Sequence, residues 1–320
     1  MVCVKGRGMA EHSGASGAPQ IGWVIGTQEG DHDGGTIRYA DAATLVREAE
    51  EVGLDSLWLP DHFFDERADG SRKGMWEAFT FLSALAATTS RIELGTLVAA
   101  TSFRNPGLLA KIADGIDEIS DGRFILGVGS GWHQPEYEAF GYPFDHLAAR
   151  FEESLRIFVP LLREGSVGFQ GRYVSAHNAV LRPRSPSPQG PKLLIAARRP
   201  RMLRLAAQYA DAWHTAWHVN PQVVAQRWAQ MCRVCAEMGR DPETLELTCG
   251  VELHILLSGE PRPAENELDG EPIVGTSEEV AEALRGFVAV GVKHFTALVH
   301  PQRDAPRRLG RVAELLRRGL

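Results

Sequence analysis

Short apolar, β-rich runs alternate with amphipathic stretches of helical period along nearly the whole chain, and nothing else in the sequence restricts the fold as tightly. Strands are expected at 21–27, 54–60, 91–99, 124–129, 193–197, 212–217, 245–257 and 294–299. Helices are expected between them at 39–52, 75–88, 106–120, 146–164, 200–209, 221–238 and 277–290, with 306–316 last. Gly53 and Asp121-Gly122 stop helices, and Pro106 and Pro200 open them. The strands are apolar throughout rather than alternating, as parallel strands covered on both faces must be. Eight such units predict a closed (β/α)8 TIM barrel over residues 20–320 rather than an open doubly wound sheet.

The rhythm breaks twice, so insertions are expected after strands four and seven. The first is a β-hairpin over 167–180, with Gly171-Arg172 at its tip, and a Pro-rich loop over 182–191. The second is the charged, Pro/Gly-rich segment 258–275, after which Ser277 with Val280 offers only a partial helix cap. Loops this long in a barrel read as lids or interface segments. Residues 1–19, rich in Gly, Ser and Ala, read as a disordered leader.

A length of 320 residues suits a single barrel, and 44% hydrophobic with 23% charged residues excludes collagen, a disordered chain and a disulfide miniprotein. There is no run of about 18–20 apolar residues to span a bilayer and no apolar core of a secretory signal. The net charge of -7 argues against nucleic acid as a partner. Within that acidic total, no Asp or Glu occurs from Gly165 to Ala210, where eight cations include Arg198 and Arg199. Cys232-x-x-Cys235 lacks a second pair of ligands and falls in a helical stretch, so it reads as core packing. Sparse thiols suit a reducing, cytoplasmic setting.

A barrel places chemistry at the C-terminal ends of its strands. Strand two ends in Asp61-His62-Phe63-Phe64, where His62 can exchange a proton near neutral pH. Thr101, Ser102 and Phe103 follow strand three. Strand four ends in Gly127-Val128-Gly129-Ser130-Gly131-Trp132-His133. A tight turn accounts for two of those glycines, and the third suggests a planar ligand against bare backbone. Strand five ends in Ala196-Ala197-Arg198-Arg199 before a helix, a combination that suits an anion. Trp213 and Trp217 around strand six, with Phe64, Phe103 and His133, make a candidate substrate pocket. No nucleophile elbow, HExxH or phosphate loop is present, and no complete set of metal ligands can be read.

Several ordered blocks resemble the bacterial-luciferase-like superfamily: Leu57-Trp58-Leu59-Pro60-Asp61-His62-Phe63, Leu94-Gly95-Thr96-Leu97-Val98, Gly122-Arg123-Phe124 through Trp132 with Glu136 and Gly141, and Leu194-Ile195-Ala196-Ala197 through Trp213. The resemblance implies a TIM barrel and an oxidoreductase, usually dimeric, acting on a small molecule. Its branch with Asp-His after strand two implies coenzyme F-420; other branches use reduced FMN and oxygen as monooxygenases, and some relatives are non-catalytic binding subunits. It also implies cofactor contacts from Asp61, His62, Thr96, Leu97, Val98, Ser130, Gly131, Trp132, Ala196, Ala197, Arg198 and Arg199, with His62 and Trp132 nearest the chemistry. A non-prolyl cis peptide is implied at Leu97-Val98. The chain departs from the family's sugar-phosphate dehydrogenases, which place Glu where it has Trp132 and Trp where it has Glu66, and this speaks against that substrate. It also has Arg198-Arg199 where the phosphate turn usually carries glycines.

Overall fold

The computed structural model describes residues 17–32, 34–67, 69–264 and 271–318. The expected leader lies outside the described residues as far as residue 16, as does the centre of the second insertion, 265–270. Eight parallel strands form the barrel: β1 (Gln20–Val24), β2 (Ser56–Leu59), β3 (Glu93–Thr96), β4 (Phe124–Gly129), β5 (Lys192–Ala196), β6 (Ala212–Thr215), β7 (Glu246–Leu256) and β8 (His294–His300). Each pairs with the next, and β8 pairs back onto β1 with Gly22 opposite Thr296, which closes the ring. Eight helices cover it: α1 (Tyr39–Glu51), α2 (Ala78–Ala86), α3 (Pro106–Ser120), α4 (Leu147–Glu164), α5 (Pro200–Tyr209), α6 (Pro221–Glu237), α7 (Ser277–Val288) and α8 (Ala305–Arg318).

Alternate residues of each strand point outward to the helices or inward to the axis. Ile21, Trp23, Leu57, Leu94, Phe124, Ile195, Trp213, Leu247 and Phe295 face outward into the main core. Val24, Trp58, Ile125, Leu194 and Ala212 fill the interior. Trp58 fits there because its neighbours carry no side chain: a Cβ on Gly95 would stand 2.3 Å from its ring, and one on Gly22 2.5 Å from its indole nitrogen. Below it lies a polar floor. Trp58 Nε1 donates to Ser56 Oγ (2.7 Å), Ser56 Oγ meets His294 Nε2 (2.7 Å), and Lys192 Nζ reaches Glu246 Oε2 at 2.8 Å. His294 Nδ1 lies 3.6 Å from the other Glu246 oxygen.

The insertions fall where expected. The hairpin after β4 runs Ser166–Gln170 against Ser175–Val180, and the second insertion ends in Ile273–Thr276, which extends the sheet beside β7. The α7 cap differs from expectation: Thr276, not Ser277, caps the helix and forms a reciprocal box with Glu279. Two small elements escape the sequence reading, a hairpin of Phe64–Glu66 with Arg72–Gly74 after β2 and a short helix Gln134–Phe140 after β4. β3 breaks at Leu97-Val98 and resumes as Ala99–Ala100 opposite Val128 and Gly129. No helix of the described residues is long and apolar enough to cross a membrane.

Candidate active site

Three side chains converge beyond the ends of β2 and β4. Glu136, 1% exposed on the short helix, takes His62 Nδ1 at 2.8 Å and His133 Nδ1 at 3.2 Å on one carboxylate oxygen. Its other oxygen accepts the backbone N–H groups of Phe63 and Phe64. Burial disfavours the charge on Glu136, but the hydrogen bond and charge of His62 and those N–H groups hold its carboxyl below the usual range. An ionised carboxylate only accepts, so the His62 imidazole carries its proton on Nδ1 and leaves Nε2 as a free lone pair. The three ligand atoms lie within 4.8 Å of one another, so they form the group among the described residues best placed to hold a metal ion. The sequence places Glu136 only within the family resemblance, not beside His62 and His133 in the site.

Trp132, 70% exposed, meets the His62 ring edge-on at 5.6 Å. The Leu97-Val98 peptide is cis, as the resemblance implied, and Val98 sits against Gly129. The glycines in and just after β4 also have an internal reason. A Cβ on Gly127 would lie 2.0 Å from the Thr96 carbonyl oxygen, and one on Gly131, whose φ is +78°, 1.7 Å from the Tyr137 hydroxyl. They make room for the protein's own backbone and for Tyr137.

Several expected site residues are taken out of the mouth. Asp61 is 2% exposed and receives both Arg104 nitrogens (2.7 and 2.9 Å) and the Ala100 N–H. Thr96 is fully buried and donates to the Gly127 carbonyl. Phe103 packs among Phe63, Tyr137 and Tyr142, and Phe64 is buried under Arg72. Trp213 is corrected most plainly: strand parity turns it outward, where it stacks on Trp228 and donates to the Ala197 carbonyl. Its neighbour His214 takes the inward place, and burial pushes its imidazole down to about 3. Glu66 is paired with Arg72 at 2.8 Å in the small hairpin. Trp217 is 48% exposed, and its ring lies against the bare Cα of Gly250. Cys232 and Cys235 are free thiols, and burial raises both.

Around the ring at β5 and β6 the site becomes basic. Arg198 and Arg199 are exposed at the N-terminus of α5, which no side chain caps. Arg227 from α6 faces the same corner, with a buried Nε that has no partner. Burial and Arg198 together lower Arg227, and burial, Arg227 and Arg198 push His218 down to about 4. Cations that repel one another beside an uncapped helix N-terminus suit an anion. Arg227 was not legible in the sequence because it lies outside the acid-free stretch. Of that stretch, Lys192, Arg201 and Arg204 are spent on Glu246, Glu152 and Glu237.

A family model described as luciferase-like monooxygenase matches residues 20–268. Over 179 residues the chain is 36% identical to an F-420-dependent glucose-6-phosphate dehydrogenase of Amycolatopsis mediterranei, covering 54% of this chain and 52% of that protein. Over 177 residues it is 37% identical to the pyrimidine monooxygenase RutA of Yersinia enterocolitica, covering 52% and 46%. The chain thus spans about half the length of these curated relatives. In structure it resembles the coenzyme F-420-dependent tetrahydromethanopterin reductase of Methanopyrus kandleri, with a TM-score of 0.74 at 18% identity over 92% of this chain and 97% of the other.

Proposed function

The chain belongs to the luciferase-like monooxygenase family, and from that membership we propose that it is an oxidoreductase using coenzyme F-420 to move a hydride to or from a small organic molecule. The observation that carries this reading is the basic corner of Arg198, Arg227 and the α5 N-terminus, with its orphaned guanidinium nitrogen. A phosphate fits there, and the relatives named for F-420 dependence support that cofactor. Arg198, with Arg199 beside it and Arg227, would hold the phosphate, and the small Ala196 leaves room for it; Ala197 is buried in the outer core. The backbone of Leu97-Val98, Ser130 and Gly131 would back one face of the ring, and Trp132 would cover the entrance.

When bound, the cofactor supplies or accepts the hydride. His62 holds or gives the accompanying proton at Nε2, because Glu136 fixes the proton on Nδ1 and stabilises the imidazolium when it forms. Trp132 excludes water rather than acting as an acid. The reading includes a cytoplasmic setting and a homodimer. The pyrimidine monooxygenase relatives favour a second reading, with reduced FMN in the same cradle.

Titration of the purified protein with oxidised coenzyme F-420 and with FMN tests the reading. Saturable binding of the deazaflavin, weakened about tenfold or more by Arg198→Glu, is expected for a phosphate contact. Binding of FMN alone moves the protein to the second reading. Binding of neither makes it a non-catalytic binding subunit.

A further inference from the structure

The parity that sends Lys192, Glu246 and His294 into the floor sends Glu252, His254 and His300 into the mouth, on the β7–β8 side of the ring. His300 Nε2 and Glu252 Oε1 are 2.9 Å apart, with side chains 33% and 18% exposed. His254 stands opposite His300 in register. Asp31 joins them from the loop after β1. A Cβ on Gly26 would come within 2.4 Å of its carboxylate, so that carboxylate occupies the place of the missing side chain. Deeper on β8, Thr296 is fully buried between Gly22 and Gly250, and its hydroxyl has no partner. None of these groups belongs to the β2–β6 half of the ring assigned above to the cofactor.

This wall offers hydrogen-bond acceptors and one unoffset carboxylate, Glu252. Two carboxylates and two imidazoles face the opening. Arg308 is held by Glu260 at 2.7 Å, whereas Lys73 stands beside Asp31 and offsets its charge, so the unoffset carboxylate of the wall is Glu252. A phosphate or carboxylate arriving here would be repelled by Glu252, whereas an amine would donate to it. The exposed rings of Trp132 and Trp217 supply flat apolar contact elsewhere around the mouth. We propose that Glu252 and His300 form a substrate-anchoring pair that selects a ring-bearing amine and rejects anionic substrates. The proposal rests on the reading above for the place of the cofactor, and it names the substrate class that the remaining wall accepts.

Three probes of one shape decide it: benzylamine, benzyl alcohol and benzoate, each titrated calorimetrically into the full-length protein loaded with oxidised coenzyme F-420. Benzylamine is expected to bind about tenfold or more tightly than benzoate, with benzyl alcohol between them, as one charge-assisted hydrogen bond allows. Glu252→Gln is expected to remove that preference while cofactor affinity, read by fluorescence, stays within about twofold. Benzoate binding as tightly as benzylamine overturns the proposal, as does undetectable benzylamine binding or a Glu252→Gln protein with unchanged preference. His300→Gln, expected to weaken benzylamine in the same direction, serves if the first variant does not fold. If the cofactor itself fails to bind, the same titrations on the unloaded protein still decide the pair, so the two failures are distinguishable.

Discussion

The carboxylate of Glu136 faces donors on both sides, two N–H groups on one oxygen and the His62 imidazole on the other, with His133 close by. A glutamine there must turn its NH₂ toward one of those donor sets. Glu136→Gln is therefore expected to lower unfolding free energy by about 1–3 kcal/mol in a urea titration, the cost of buried donors left unpaired. The same variant should bring the Nε2–H tautomer of His62 into its imidazole ¹⁵N spectrum; a spectrum unchanged from the parent protein would show that Glu136 does not set the tautomer. His62 was legible because it follows a strand end directly. Glu136 was legible only as part of the family resemblance and not as a partner of His62, since nothing in the sequence couples position 136 to position 62. Trp213 was misplaced for a related reason. An unbroken apolar strand shows that both faces are buried but not which face each residue takes.

At the scale of elements, the boundaries of α3, α5 and β4 coincide with those expected, because proline and glycine mark their ends. Asn105 caps α3 through Gly107 and Leu108, and Asp121 ends it in the left-handed region with φ at 57°. The small hairpin after β2 escaped because its strands are three residues each, too short to show a period. The interior packing of β2 against β3 is another feature no period reveals. Trp58 occupies the space that Gly95 leaves, so Gly95→Ala must displace an indole or a strand. That overpacking is expected to cost about 1–3 kcal/mol, measured as a lower urea midpoint with unchanged slope. A midpoint equal to that of the parent protein would show that the barrel interior is looser than its contacts indicate.

For the whole molecule, three buried groups make stability depend on pH in one direction. His214 and His218, pushed down to about 3 and 4 by burial, stay neutral in the fold but take up protons when unfolded below their ordinary value of 6.5. Burial works against the charge of Glu246, but His294 and Lys192 pull its carboxyl down to about 2. The imidazole contribution is thus fully present above pH 6.5 and is lost as pH falls toward 3 to 4. The Glu246 contribution is present above its ordinary value of 4.5 and is lost between there and about 2. Urea midpoints are expected to fall stepwise from neutral pH through about pH 5 to about pH 4, and a flat profile would contradict these burials. The floor that contains Glu246 has a further consequence. With Trp58, Ser56, His294, Lys192 and Glu246 stoppering one end, the barrel is a cup with a single opening. Any ligand must therefore come and go on the side where Glu136 and Glu252 stand, and nothing can pass through the barrel along its axis.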